Sequence, residues 1–229
     1  MTVLRIEGLT TFLPGRSPAQ GDAPLHRELE MEVGPGELVT LEGPSGSGKT
    51  VLGTTALRLR PPPHAGSVFW GETEVAALSM RALRPLRRTH QAMLQHTGAL
   101  LPPYLTLRSA MKESLKAVRR GDWSDREIEE VSELLGISSL LHRFPRHLSG
   151  GEQRRASLAR LMLIRPALAF VDEPDAGLDG ISQVEVMQAL RSLVDETGAG
   201  VLLVTHQADL AIQFSDRRLK LEGGRVHAL

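Results

Sequence analysis

The sequence predicts an α/β fold with a parallel sheet, and three observations carry that prediction. "ELVTLEG" (37–43) has strand character and runs through a glycine-rich loop into the helical stretch "KTVLGTTALRLR" (49–60). "ALAFV" (167–171) and "GVLLVTH" (200–206) are apolar runs of strand length, as strands buried on both faces are. Each is followed by a helical segment, and strands that alternate with helices pair in parallel.

The elements follow in order. "VLRIEGLTTFL" (3–13) alternates and then turns apolar, as an edge strand would. "GRSPAQGDAP" (15–24) is a turn-rich insert. "LHRELEMEVGPGE" (25–37) alternates Leu, Met and Val with charges and ends in a Pro-Gly turn, which predicts a second, antiparallel strand. "RPPPHAG" (60–66) is a stiff linker, and "SVFWGETEV" (67–75) reads as a strand pair. Residues 79–95 are an Arg-rich stretch, and "HTGALLPPYLTL" (96–107) is a loop with two prolines. Short helices are expected over 108–120, 124–135 and 138–144, with Asp122 or Ser124 as an N-cap. A helix opened by glycines follows at 149–165, an amphipathic helix at 182–196 and a helix at 207–214. A hairpin around Gly223-Gly224 closes the chain. No internal repeat is visible.

Composition narrows the function. At 229 residues, the chain fits one large domain or a core with a small subdomain. With 27 basic and 27 acidic residues the net charge is zero, which gives no support to a general electrostatic grip on nucleic acid. There is no cysteine, so neither a disulfide nor a thiolate metal site can form, and the eight histidines show no zinc-ligand spacing. No apolar run reaches the roughly 18 residues of a membrane span, and the N-terminus lacks a leader's apolar stretch. A soluble chain is expected, reaching a membrane only through a partner. Only four of the basic residues are lysines, which makes the position of Lys49 stand out.

"GPSGSGKT" comprises Gly43, Pro44, Ser45, Gly46, Ser47, Gly48, Lys49 and Thr50, the G-x-x-x-x-G-K-[ST] pattern. Its glycines let several backbone N–H groups converge on one anion. Lys49 would add a positive charge near the β- and γ-phosphates, and Thr50 a hydroxyl to Mg²⁺. The bland alternative is a Gly/Ser surface turn. The pattern arises by chance in roughly one chain in a hundred of this length, and the strand–loop–helix setting weighs further against the turn.

"ALAFVDEPDAGLD" (167–179) ends a buried strand in Asp172-Glu173. Two adjacent carboxylates there are costly unless something uses them, and parallel sheets bind ligands at the carboxyl ends of their strands. Asp172 is expected to face Mg²⁺, through a water. Glu173 is expected to face an attacking water as general base. The alternative is a strand followed by a polar helix cap. "LSGGEQRR" (148–155) places Ser149, Gly150 and Gly151 at a helix N-terminus, itself an anion site. The chain thus holds two phosphate-binding loops roughly 100 residues apart, more than one nucleotide needs from one chain.

"LSGGEQRR" resembles the signature of the nucleotide-binding subunits of ATP-binding cassette (ABC) transporters, "GPSGSGKT" their Walker A and "LAFVDE" their Walker B. The motifs run in family order from about residue 3 to 224. The resemblance implies a P-loop NTPase core with a parallel sheet, an N-terminal antiparallel β subdomain and a helical subdomain around 96–157, within a single ABC ATPase domain. It also implies two cassettes packed head to tail on two Mg·ATP. Ser149, Gly150, Gly151 and Glu152 of one copy would then meet the γ-phosphate held by the other. Gln95 matches the Q-loop glutamine, which contacts Mg²⁺ near the membrane partner. Gln91 is a competing register that the downstream "ALLPPYLTL" disfavours, and a solvated loop amide is the plainer reading of Gln95. Asp179 resembles the D-loop aspartate that crosses the dimer interface, and it would also cap the helix at 182–196. His206 matches the switch histidine at the γ-phosphate, although a lone His at a strand end is more often structural. Phe12 is a candidate to stack on adenine, against the alternative of a core Phe.

Two departures stand out: Glu152 where glutamine is common, and "DEPDAGLD" in place of "DEPTSALD". Neither removes Lys49, Glu173 or His206, so ATP hydrolysis is expected. The implied partners are a second copy or a paralogous cassette and transmembrane permease subunits, with no nucleic acid. The implied location is the cytoplasmic face of the cell membrane. Three rival readings are disfavoured or separable. A non-transport ABC ATPase of repair or translation would carry a long coiled coil or two cassettes. A P-loop kinase or GTPase would not need "LSGGEQRR", and no N-K-x-D occurs. An ATP-binding scaffold without turnover differs by its missing phosphate release. Cargo and direction would lie in the membrane subunits.

Overall fold

The computed structural model describes residues 2–13, 15–94, 101–119 and 122–229. Leu4–Thr11 (β1) lies between His26–Val33 (β2) and a later strand, Ala65–Trp70, in an antiparallel sheet. Counting Leu38–Glu42 as β3, that later strand is β4, and Thr73–Glu74 (β5) pairs on its far side. β1 is therefore internal and not an edge: Leu4 pairs with Val33 on one side and Trp70 on the other. An alternating pattern reports which face of a strand is buried, not which of its edges are paired. The two strands come close at Gly8 and Gly66, where a Cβ on Gly66 would overlap the Gly8 carbonyl.

The second sheet holds β3, His90–Met93 (β6), Leu168–Asp172 (β7), Gly200–Val204 (β8), Arg217–Glu222 (β9) and Arg225–Ala228 (β10). Its order is β10-β9-β3-β8-β7-β6, parallel throughout except the β9–β10 hairpin. Every residue of β7 and β8 is buried, as their apolar runs predict. Leu168, Phe170, Leu202 and Val204 join the core shared with the antiparallel sheet. Ala169, Val171, Val201 and Leu203 join a second core built with the helices.

Lys49–Ala56 (α1) packs on β7 through Gly53, where any side chain would overlap the Phe170 ring. α1 ends four residues before the expected Arg60. Arg58 takes a left-handed φ of 52°, and its guanidinium turns inward to donate to the Val75 and Leu78 carbonyls. The Arg-rich stretch divides into Met80–Leu86 (α2) and β6, a strand too short and too polar to be legible.

Leu107–Arg119 (α3) and Asp125–Leu134 (α4) follow, and Ser124 caps α4 in a reciprocal pair with Glu127. The helix expected at 138–144 is a single 3₁₀ turn, Ser138–Leu140. The Leu141 and Arg143 carbonyls are instead taken by the N–H groups of Arg108 and Leu107. Gly150–Ile164 (α5) packs on α3, α4 and β6. Gly180–Thr197 (α6) and Ala208–Phe214 (α7) complete the order, and α6 packs on both α5 and α7.

Candidate active site

β3, β8 and β7 are neighbours running in one direction, with Leu41 opposite Val204 and Val204 opposite Asp172. Their carboxyl ends share one rim, so three segments distant in sequence meet there. The loop after β3 spans Gly43 to Gly48. Gly43 (φ 151°) lies so close to the Leu221 carbonyl that a Cβ would overlap it. Gly48 (φ 101°) caps α1 and sits 2.7 Å, at a notional Cβ, from His26 Nε2. Pro44, Ser45 and Gly46 are exposed on the rim. Ser47 donates its N–H to the Pro44 carbonyl, and its buried hydroxyl has no protein partner.

Lys49 is buried, and its Nζ donates to the Gly43 and Pro44 carbonyls at 2.8 and 3.1 Å. Burial holds its pKa below the ordinary lysine value, and the Glu173 and Asp172 carboxylates oppose that shift. Thr50 Oγ1 donates to Asp172 Oδ2 at 2.7 Å. Asp172 is 1% exposed, and its Oδ1 has no protein hydrogen bond. Burial raises its pKa above the ordinary carboxylate value. The Thr50 hydrogen bond works against burial, adjacent Glu173 adds to it, and Lys49 and His206 offset part of it. A hydroxyl beside a buried carboxylate with one oxygen unsatisfied is a hard, oxygen-only donor set of the kind Mg²⁺ takes.

Glu173 follows β7 with a left-handed φ of 49° and donates its N–H to the Val204 carbonyl. Outside glycine that backbone conformation is strained, and strain of this kind clusters at functional sites. His206 Nε2 lies 2.9 Å from Glu173 Oε1. A cavity of about 480 Å³ is lined by Ser45, Gly46, Gly48, Lys49, Thr50, Glu173 and His206. It adjoins a cleft of about 490 Å³ with Phe12, Val51, Thr55 and His64 on its wall, and both are bordered by Leu13 and Val51. Phe12 is half-buried there, edge-on to His64 with ring centroids 5.2 Å apart, and belongs to neither core.

Of the remaining sequence candidates, residues 149–152 and Asp179 do not line this cavity. Ser149 caps α5: its hydroxyl accepts from Glu152 N–H while the Glu152 carboxylate accepts from Ser149 N–H. Ser149 and Gly150 are exposed. Asp179 caps α6 through the N–H groups of Ile181 and Ser182. The preceding Leu178 packs against Gly151, so these two segments adjoin. Gln95 lies outside the described residues. Gln91 is on β6 and occupied, donating to the Arg87 carbonyl and accepting from Arg160.

Sequence reasoning missed three residues. His26 is fully buried beneath Gly48, with Nδ1 2.7 Å from Thr11 Oγ1 and Nε2 unpartnered. Burial lowers its pKa to about 4, opposed by the Gly48 backbone. Its charge class hid it among the polar positions of an alternating strand. Asp175 and Thr205 are also buried and bonded to each other at 2.7 Å. The only sequence signal was the aspartate that departs from "DEPT".

An anion cradle beside a carboxylate held at a strained strand end is the equipment of a P-loop nucleotide hydrolase. Comparison with known proteins refines this. Residues 26–176 match the family model for the ABC transporter. The chain is 34% identical over 206 residues to the lipoprotein-releasing system ATP-binding protein LolD 2 of Caulobacter vibrioides, covering 90% of each protein. It is 31% identical to the methionine import ATP-binding protein MetN of Xanthomonas axonopodis pv. citri, over 86% of this chain but only 58% of that protein. A dimeric ATP-binding cassette solved in a post-hydrolysis state with ADP and Pi superposes with a TM-score of 0.83 at 27% identity, covering 98% of this chain and 96% of that one. The chain belongs to the ABC transporter family, as an ATP-hydrolysing, nucleotide-binding subunit. No helix among the described residues is long and apolar enough to cross a membrane.

Proposed function

We propose that two copies of this chain, or one copy and a paralogous cassette, close head to tail on two Mg·ATP, and that closing and hydrolysis drive separate membrane subunits. The observation that carries this reading is that the cavity at the phosphate loop includes none of residues 149–152, although the N-terminus of α5, a second candidate anion site, is exposed. A site finished within one chain would leave the second N-terminus without a use. The dimeric cassettes with which the fold superposes support the same arrangement.

In this reading the N–H groups of residues 43–50 and the Lys49 ammonium hold the β- and γ-phosphates. Thr50 and Asp172 hold Mg²⁺, with the unpartnered Asp172 Oδ1 available to it or to its water. The bound ion would neutralise charge on the phosphate oxygens. Glu173 takes the proton of the attacking water, and His206, 2.9 Å away, orients that carboxylate. Phe12 borders the adjoining cleft, which suits a base. Ser149, Gly150, Gly151 and Glu152 complete the phosphate site of the second copy, Asp179 lies at the seam, and Gln95 belongs to the link with the membrane subunit. Catalysis is mostly positioning and charge stabilisation. The stretch from Gln95 to Thr106 is the proposed contact for the membrane subunits, on the cytoplasmic side.

The test is Glu173→Gln in size-exclusion with light scattering, with and without Mg·ATP, beside phosphate release by the parent. The variant is expected to lose roughly 10²–10⁴-fold in turnover, the worth of a general base, and to dimerise only with ATP. A variant that binds ATP but stays monomeric would sink the shared-site arrangement.

A further inference from the structure

Asp175 stands in the turn after β7, where the family pattern more often has threonine. It is 3% exposed, and a polar group so buried is costly unless it is hydrogen-bonded. Its Oδ2 accepts from Thr205 Oγ1 at 2.7 Å. Thr205 is itself buried, and the same hydroxyl oxygen accepts the N–H of Gln207 at 3.0 Å. The residue between Thr205 and Gln207 is His206, whose ring lies 2.9 Å from Glu173.

These contacts close a ring. One arc is Glu173-Pro174-Asp175 and the other is Thr205-His206. The Glu173–His206 contact joins the arcs at one end and the Asp175–Thr205 hydrogen bond joins them at the other. Glu173 is held at a φ of 49°, a conformation that persists only where its surroundings over-determine it. Pro174 has its own φ fixed by its ring and narrows the freedom of the residue before it, Glu173. The Asp175 carbonyl accepts from Leu178 N–H and from Gln183 Nε2 of α6, which ties the same arc to the helix that Asp179 caps.

We propose that Asp175 is a positioning residue for hydrolysis: through the Thr205 hydroxyl it fixes the backbone that presents His206 to Glu173. This rests on the reading of Glu173 as base and His206 as the group that orients it. A hydroxyl at position 175 would be shorter and could not span to Thr205 in the same way. Here the link between the segment leading to Asp179 and the switch histidine is made by a carboxylate.

The experiment measures kcat, KM for ATP and melting temperature for the parent, Asp175→Asn, Asp175→Ala, Thr205→Val, the Asp175→Ala/Thr205→Val double variant, and Asp175→Ala in a His206→Ala background. Asp175→Ala and Thr205→Val should each lower kcat by roughly tenfold to a hundredfold, the effect of a small misplacement of a reacting group. KM should stay within about twofold. The double variant should be no worse than either single, because both remove one link. Asp175→Asn, which keeps an acceptor, should recover most of the activity. In the His206→Ala background the Asp175 substitution should have no further effect.

An equal loss of kcat with and without His206, or additive losses in the double variant, would overturn the proposal. So would a lower melting temperature with parental kcat. If Asp175→Ala does not fold, Asp175→Asn and Thr205→Val carry the same comparison. Failure of the underlying reading is distinguishable: His206→Ala itself would then turn over like the parent.

Discussion

Two glycine-bearing helix N-termini, those of α1 and α5, are built in opposite ways. At α1, Gly48 is pinned between the end of the phosphate loop and the side chains of Leu25 and His26, and Gly43 is pressed on the Leu221 carbonyl. Lys49 is buried and bonded into its own loop. At α5, nothing lies beside Gly150, Ser149 is exposed, and the cap is satisfied within four residues by Glu152. Hydrogen bonds from Ser149 hold the Glu152 carboxyl below its ordinary pKa. The first terminus is shaped by the tertiary fold, whereas the cap of the second is made by local chemistry, with Leu178 beside Gly151 as its distant neighbour. A cradle that must hold polyphosphate needs rigidity from its own chain. A surface that meets its ligand only on association needs none beyond the helix.

The largest effect that would break this contrast is at Gly48. Gly48→Ala places a methyl at positive φ against His26 and Leu25, and should cost roughly 3 kcal/mol, read as a lower urea midpoint. A parental midpoint would mean that the loop is not clamped.

Acid should probe the same clamp. His26 stays neutral in the fold down to about pH 4, whereas in the unfolded chain it takes up a proton near 6.5. The unfolded state therefore binds more protons between those values, and stability present above 6.5 is lost as pH falls. The loss should be about 2 kcal/mol by pH 5 and about 3 by pH 4. His26→Leu should flatten that part of the stability–pH curve, measured by urea unfolding at pH 7 and 5.

At α5 the effects shrink. Ser149→Ala should cost about 1 kcal/mol, the worth of an N-cap. Gly150→Ala should change stability by less than about 1 kcal/mol, in the stabilising direction if any. Its consequence should appear instead in light scattering, as weaker ATP-dependent dimerisation in the Glu173→Gln background. A large stability loss at Gly150 would erase the contrast between the two termini.

What could be read in advance follows the same division. β7 and β8 were legible because strands buried on both faces are apolar at every position. Ser124 was legible as a cap because the pattern is local. β6 was not, since four residues with one fully buried side chain resemble a loop. The stretch 138–144 reads as a short helix, but competition from the Leu107 and Arg108 N–H groups for its carbonyls is invisible along the chain. The residues of "GPSGSGKT" and "DE" that meet at the sheet rim are candidates by type and spacing, whereas His26 and Asp175 are bonded to neighbours far away in sequence.

By itself, the sequence determined the α/β class, the glycines of the phosphate loop and the order of its motifs, because these depend on residue type within a few positions. Only the tertiary structure decided that β8 lies between β3 and β7, and this adjacency sets His206 against Glu173 at the end of Asp172's strand. It also decided that His26 lies under Gly48. The reason is physical: strand order and burial are set by which faces pack together across the whole chain, and no local pattern encodes its distant partner.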